Sequence, residues 1–178
     1  MQRIKGKAWV AKNYVMSFDM ILQRFWTSPV NKEENAKWVM AGVEETFNQE
    51  NGFKSKGYTF IVAGHNFAGG GKSIEHCITG LMGAGIQAVF ATSFARLQFR
   101  NAINYGLPFI TSKDMNLSCE TDDELEYDPL TGIIENLTNG KRFESVPQAP
   151  FVAEVAAAGG LMNFIRNQIR EGSIEHLR

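Results

Sequence analysis

A parallel α/β fold is the class this sequence predicts, and three observations predict it. Compact apolar runs at 58–63, 88–92 and 107–111 are bounded by glycines or turn residues, as buried parallel strands are. Amphipathic stretches separate them: one carries Ile74, Cys77, Ile78, Leu81 and Met82 on one face, and the next spans 94–105. The connections are short, as strand–helix–strand–helix–strand units require. The expected architecture is a parallel β-α-β-α-β core with added short antiparallel strands and a C-terminal helix.

Each element has its own local cause. Lys7-Ala-Trp-Val-Ala11 reads as a first short strand, and residues 18–26 as a loop with one helical turn. Residues 31–49 read as one helix. Asn31 can cap it, Glu33 and Glu34 suit its positive end, and Trp38, Val39, Val43 and Phe47 recur at helical spacing. Gly85 and Gly106 are helix stops, and Ser93 is placed to cap the helix over 94–105. From 122 to 147 the chain is polar and alternating, with Pro129-Leu-Thr-Gly132 and Thr138-Asn-Gly140 as turns between antiparallel strands. Residues 151–170 read as a last helix, weakened by Gly159-Gly160, before a polar tail over 170–178 in which His176 has no assigned role. With no repeat or linker, residues 1–178 read as a single domain.

Composition narrows the function. A net charge of −1 lacks the basic excess of a nucleic-acid or anionic-membrane binder. No apolar run reaches the roughly 20 residues that cross a bilayer. The basic residues at the start have no apolar segment behind them, so a cytoplasmic protein without a secretory leader is expected. The two cysteines, Cys77 and Cys119, are far apart. They are too few for a structural zinc or a cubane cluster, each of which takes about four ligands. No metal site is expected on this chain.

The segment that carries chemistry is Gly64-His-Asn-Phe-Ala-Gly-Gly-Gly-Lys-Ser73, between a strand and a helix. Successive glycines let backbone N–H groups approach an anion closely, and the helix start adds its positive end. His65, Asn66, Gly70 and Gly71 are therefore candidate carboxylate- or phosphate-binding positions, with Lys72 as the cation. The Gly71-Lys72-Ser73 ending suggests a nucleotide loop, but that pattern needs glycine where Asn66 stands. The strand at 88–92 also ends without a magnesium-binding aspartate.

The same residues resemble a known family, the small subunits of 3-isopropylmalate dehydratase and the swivel domain of aconitases. That family's G-x-N-F-G-C-G-S-S-R-E-H, S-F-A-R and N-G-L-P motifs are similar here to Gly64-His-Asn-Phe67 with Gly69 to Gly71 and Glu75-His76, then Ser93-Phe-Ala-Arg96, then Asn101-Ala-Ile-Asn-Tyr-Gly-Leu-Pro108. Asp123-Glu-Leu-Glu-Tyr-Asp-Pro-Leu-Thr-Gly132 and Ala158-Gly-Gly-Leu161 continue the likeness, which runs over residues 7 to 170. The resemblance implies an aconitase swivel-like domain. It further implies a hydro-lyase small subunit, inactive alone, whose large subunit carries a 4Fe-4S cluster and whose substrate is a hydroxy-dicarboxylate.

The match breaks at the family's S-S-R. Aligned on Glu75-His76, Lys72 falls at the first serine, Ser73 at the second and Ile74 at the arginine, with one residue inserted after Phe67. Lys72 then stands as a carboxylate-binding charge or a base, and Ser73 as donor, base or helix cap. Ile74 is expected to face the core. By the same resemblance Asp19 matches an aspartate near the active site, and Arg24 matches the substrate-selecting loop or is simply solvated. His76 is expected to bond locally and Arg96 to brace the loop. A relative acting on a dimethylmalate-, homocitrate- or methylcitrate-like acid, and a non-catalytic carboxylate-binding subunit, are the alternatives.

Overall fold

The computed structural model describes residues 3–11, 13–113, 115–146 and 148–172. In chain order the elements are β1 (Ile4–Val10), α1 (Ser17–Met20), α2 (Lys32–Trp38), β2 (Phe60–Ala63), α3 (Glu75–Gly83), β3 (Ala88–Ala91), α4 (Arg96–Tyr105), β4 (Phe109–Thr111), β5 (Glu124–Asp128), β6 (Ile133–Asn136), β7 (Arg142–Glu144), α5 (Pro150–Ala157) and α6 (Leu161–Arg170). The expected tail beyond 172, with His176, lies outside the described residues.

The strands form one seven-stranded sheet in the order β4-β3-β2-β1-β5-β6-β7. β1 to β4 pair in parallel, and β5 to β7 add on antiparallel. β1 is longer than expected because it serves both halves: Ile4–Lys7 pairs with β5, and Ala8–Val10 with β2. Alternate residues divide the core. Ile61, Val89 and Phe109 face the layer of α2, α3 and α4, while Phe60, Phe90 and Ile110 face the other side. On that second side the Phe90 and Tyr127 rings meet edge-on, 5.2 Å apart. Their strands, β3 and β5, are separated by two others and would lie about 14 Å apart in a flat sheet. The sheet therefore curls, and its antiparallel half covers what no helix covers.

The helix expected over 31–49 begins where predicted, with Asn31 Oδ1 accepting the Glu34 N–H at 3.0 Å, but it ends at Trp38. The chain beyond is drawn onto α1: Met40 N–H bonds the Met20 carbonyl, and Gly42 N–H bonds Asp19 at 2.9 Å. Met40 takes a left-handed φ of 69° to do so, and Phe47 reaches the core from a 3₁₀ turn. Tertiary hydrogen bonds have overridden the periodicity. The last helix is likewise two helices. Gly159 and Gly160 take φ of 77° and 111°, which no right-handed helix accommodates. Ser93 does not cap α4, which starts at Arg96 without a side-chain cap.

α2 and α3 pack tightly because α3 presents glycine to its partner. A Cβ on Gly83 would stand 2.6 Å from the Lys32 carbonyl and 2.7 Å from Ala36 Cβ. A buried Asn35–Thr79 hydrogen bond of 2.9 Å fixes the register. Gly83→Ala therefore separates two effects of opposite sign: helix propensity favours alanine by about 1 kcal/mol, whereas the clash with backbone costs more. We expect a net loss of about 1–3 kcal/mol in urea unfolding. A variant as stable as the parent would show that the helices have room to part.

Candidate active site

The glycine loop leaves the end of β2 and is stitched on both sides before it is released. On one side Asn13 Oδ1 accepts the His65 N–H at 2.8 Å, and the His65 carbonyl accepts from Tyr14 N–H at 2.8 Å. Gly69 N–H bonds the Val15 carbonyl at 3.0 Å, and the Gly69 carbonyl accepts both the amide and the hydroxyl of buried Ser17. On the other side Ser93 Oγ accepts the Asn66 N–H at 2.9 Å, and Phe67 exchanges backbone hydrogen bonds with Ser93 and Ala95. Asn66 and Ala68 hold φ of 52° and 59° to fit between these neighbours.

From Gly70 to Ser73 the backbone–backbone stitching stops, among the described residues. A Cβ on Gly70, whose φ is 109°, would stand 3.0 Å from the Phe18 ring, so a bare backbone is required there. Among the described residues, the backbone N–H groups of Gly70, Gly71, Lys72 and Ser73 meet no acceptor. Gly71, Lys72 and Ser73 are exposed. The Lys72 ammonium lies 5.6 Å from the Phe18 ring centre and forms no salt bridge among the described residues. Ile74 is buried, as expected, and it rather than Ser73 is the α3 N-cap, without a side-chain cap bond. The expected Ser73 cap is thus not formed: its hydroxyl donates to Asn101 Oδ1 at 3.1 Å instead.

Lys72, Ser73 and Ile74 line a cleft of ≈ 240 Å³ with Trp26, Val30, Glu75 and His76. His76 bonds locally, as expected: Nε2 is 2.9 Å from the Thr27 carbonyl, and the ring stacks on Trp26. Asp19 is exposed and lines a second cleft of ≈ 170 Å³ with Asn13, Tyr14 and Glu44. Its backbone is tied to the loop through Ser17, but its carboxylate and Lys72 line different clefts. Arg24 is exposed, 3.4 Å from Asn48 Oδ1 and over the Phe25 ring. His65 is exposed beside Asn66. Arg96 is exposed and, among the described residues, makes no side-chain hydrogen bond, so the bracing expected of it falls instead to Ser93.

The model of the Aconitase C-terminal domain family matches residues 11–114. The isopropylmalate/citramalate isomerase small subunit of Methanocaldococcus jannaschii is 41% identical over 168 residues, covering 94% of this chain and 96% of that one. The 3-isopropylmalate dehydratase small subunit of Thermodesulfovibrio yellowstonii is 36% identical over 167 residues, covering 94% and 96%. The crystal structure of a 3-isopropylmalate dehydratase chain from Methanocaldococcus jannaschii superposes with a TM-score of 0.86 at 31% identity, over 97% of this chain and 98% of that one. The chain belongs to this aconitase-type family of dehydratase small subunits. The resemblance and the fold expected from the sequence are both borne out.

Four polar residues of this small subunit escape a sequence reading: Asn13, Ser93 in its true role, Gln98 and Asn101. Only Ser93 carried a signal, and the signal pointed to a cap. The residues described do not fit an iron–sulfur cluster, which draws on several thiolates. Cys77 donates to the Ser17 carbonyl at 3.2 Å in the helix-side core, whereas Cys119 lies beside Asn136 in the opposite core. Burial pushes both thiols up from their ordinary range. No group of three or more His, Cys, Asp or Glu that could hold a metal occurs among the described residues. With both values raised, the thiolate is scarce at pH 8 in the folded state. Iodoacetamide at that pH should leave Cys77 and Cys119 unmodified in the native chain and modify both in denaturant, by mass spectrometry. Rapid native alkylation of either would contradict this burial.

Proposed function

We propose that this chain is the small subunit of a hydro-lyase/isomerase acting on a branched hydroxy-diacid of the isopropylmalate or citramalate type. In this reading residues 64–73 bind a substrate carboxylate in a site completed by a large subunit. The observation that carries it is a cluster of four backbone N–H groups and a lysine without partners among the described residues, leading into a cleft that Lys72 and Ser73 line. Dehydration next to a carboxylate builds negative charge on that carboxylate as the neighbouring proton leaves. Donors already aimed at the growing charge lower the barrier without reorganisation. The cleft adds apolar surface from Trp26, Val30 and Ile74, which suits an acid with an alkyl branch.

Lys72 serves as a point charge for the carboxylate. Its side chain is solvated in this chain, which suits charge pairing better than proton abstraction. Ser73 hydrogen-bonds an amide oxygen that cannot take its proton, so it acts as a donor, or as a base only beside a proton acceptor from the large subunit. Asp19 lines a different cleft from Lys72, and Arg24 meets Asn48 and Phe25 instead, so no step is assigned to either. The Lewis acid that the leaving hydroxyl calls for finds no ligand set among the described residues and is assigned to the large subunit, as a 4Fe-4S cluster. In its cytoplasmic setting the pair would need neither nucleic acid nor membrane, and among the described residues no helix is long and apolar enough to cross one.

One observation favours a second reading. Because Ser73 meets no proton acceptor among the described residues, the chain would also serve as a carboxylate-binding subunit without a catalytic group. Co-purification with its large subunit, followed by assays of 3-isopropylmalate, citramalate, dimethylmalate, homocitrate and methylcitrate, separates the two. Turnover of a branched diacid is expected; diacid binding with no turnover of any would favour the second reading. In the active pair Lys72→Ala should cut kcat/KM on the order of a hundredfold, as losing one preorganised charge-stabilising donor does, and more than Ser73→Ala. Wild-type rates for both would remove the loop from the mechanism.

A further inference from the structure

Gln98 is a carboxamide with no solvent exposure, in the first turn of α4 and 24 residues along the chain from Ile74. A buried amide is costly unless its hydrogen bonds are made, and this one makes them with the end of the glycine loop. Its Nε2 donates to the carbonyl of Lys72 at 3.3 Å and to that of Ile74 at 3.2 Å. Its Oε1 accepts from Asn101 Nδ2 at 3.4 Å, and Asn101 Oδ1 accepts the Ser73 hydroxyl at 3.1 Å. Two side chains of α4 thus hold three consecutive residues: 72 and 74 by their carbonyls, and 73 by its hydroxyl.

The consequence for the site follows from peptide geometry. In a trans peptide the C=O of one residue and the N–H of the next point in opposite directions. Drawing the Lys72 carbonyl inward to Gln98 turns the Ser73 N–H outward. Drawing the Ile74 carbonyl inward does the same for the Glu75 N–H, at the start of α3. Resting on the carboxylate reading of the loop, we infer that Gln98 is a positioning residue for the reaction, with Asn101 as its relay. It aims the Ser73 amide, and with it the Lys72 side chain, at the substrate carboxylate. Gln98 itself touches no substrate. The Lys72 ammonium has no planar fork to impose an angle on a carboxylate, so the angle is set by backbone donors, and the donors by this clamp.

Steady-state kinetics of the complete two-subunit enzyme on the diacid it turns over test the inference. Gln98→Met keeps the volume and removes the three hydrogen bonds. It should raise KM about tenfold, the weight of one or two lost hydrogen bonds. In a Lys72→Ala background, where the carboxylate is no longer held at the loop, the same substitution should change KM less than about twofold, because groups acting as a unit are non-additive. Leu107→Ala, a core truncation just beyond α4, supplies the control: an equal loss of thermal stability with KM unchanged. If Gln98→Met does not fold, Gln98→Glu is used in the same way, since its carboxylate cannot donate to the two carbonyls. An unchanged KM, or an equal rise in both backgrounds, would overturn the clamp while leaving the carboxylate reading intact. Where a diacid binds without turnover, its Kd is read in place of KM; a pair that neither binds nor turns over a diacid, or a Lys72→Ala variant with the parent KM or Kd, would overturn that reading and the clamp with it.

Discussion

The site depends on a loop that is half strand. From 65 to 69 the chain runs between the turn at 13–17 and the turn at 93–95, with isolated parallel bridges pairing Met16 with Gly69 and Phe67 with Phe94. It is held like an extra layer across the C-terminal ends of the parallel strands. Two non-glycine residues, Asn66 and Ala68, are kept in the left-handed region, at a cost of about 1–3 kcal/mol each. Such strain persists only where neighbours over-determine the conformation. Here they do, with backbone and side-chain hydrogen bonds from both flanks and the Phe67 ring in the core against Phe94 and Phe109. The rigid half ends at Gly69, and the next residues are delivered to the surface with their N–H groups open.

That arrangement explains which parts of the chain could be read in advance. The parallel core was legible because fully buried strands are continuous apolar runs, and Phe60–Ala63 and Ala88–Ala91 are buried at every position. The Asn31 cap was legible because a cap is a local device. The end of α2 was not, since the bonds that terminate it come from Asp19 and Met20, far back in the chain. The same limit applies to the site. Glycines mark the loop, but what aims it lies on α4, where Gln98 reads as one more polar residue on a helix that is mostly polar. Ser93 shows how a local rule misleads: a serine ahead of a helix reads as a cap, yet its hydroxyl belongs to the loop.

The division of labour proposed for the two subunits also has a physical basis in this chain. Cys77 and Cys119 lie on opposite sides of the sheet, each buried and each with its thiolate disfavoured. A metal at the loop would find acceptor ligands scarce, because what the loop offers is donors: amides, an ammonium and a hydroxyl. A surface of donors attracts anions and repels cations. Such a surface suits the proposed role of holding the negative ends of a substrate, with metal chemistry brought from elsewhere.

The departure from the family's serine–serine–arginine run is intelligible in the same terms. Ile74 occupies the position aligned with the arginine and is only 3% exposed, packed in the helix-side core. A guanidinium at that position would be buried or would have to reorganise the start of α3. Two residues earlier the side chain faces solvent over Phe18, and there Lys72 supplies the charge. The cation has in effect moved up the loop, and changed from a fork to a point. A fork carries its own directionality; a point charge takes it from its surroundings. The amide beside Lys72, with the Lys72 carbonyl held by a buried glutamine, is what those surroundings provide, and in the proposed reading this lets a different residue carry the loop's charge.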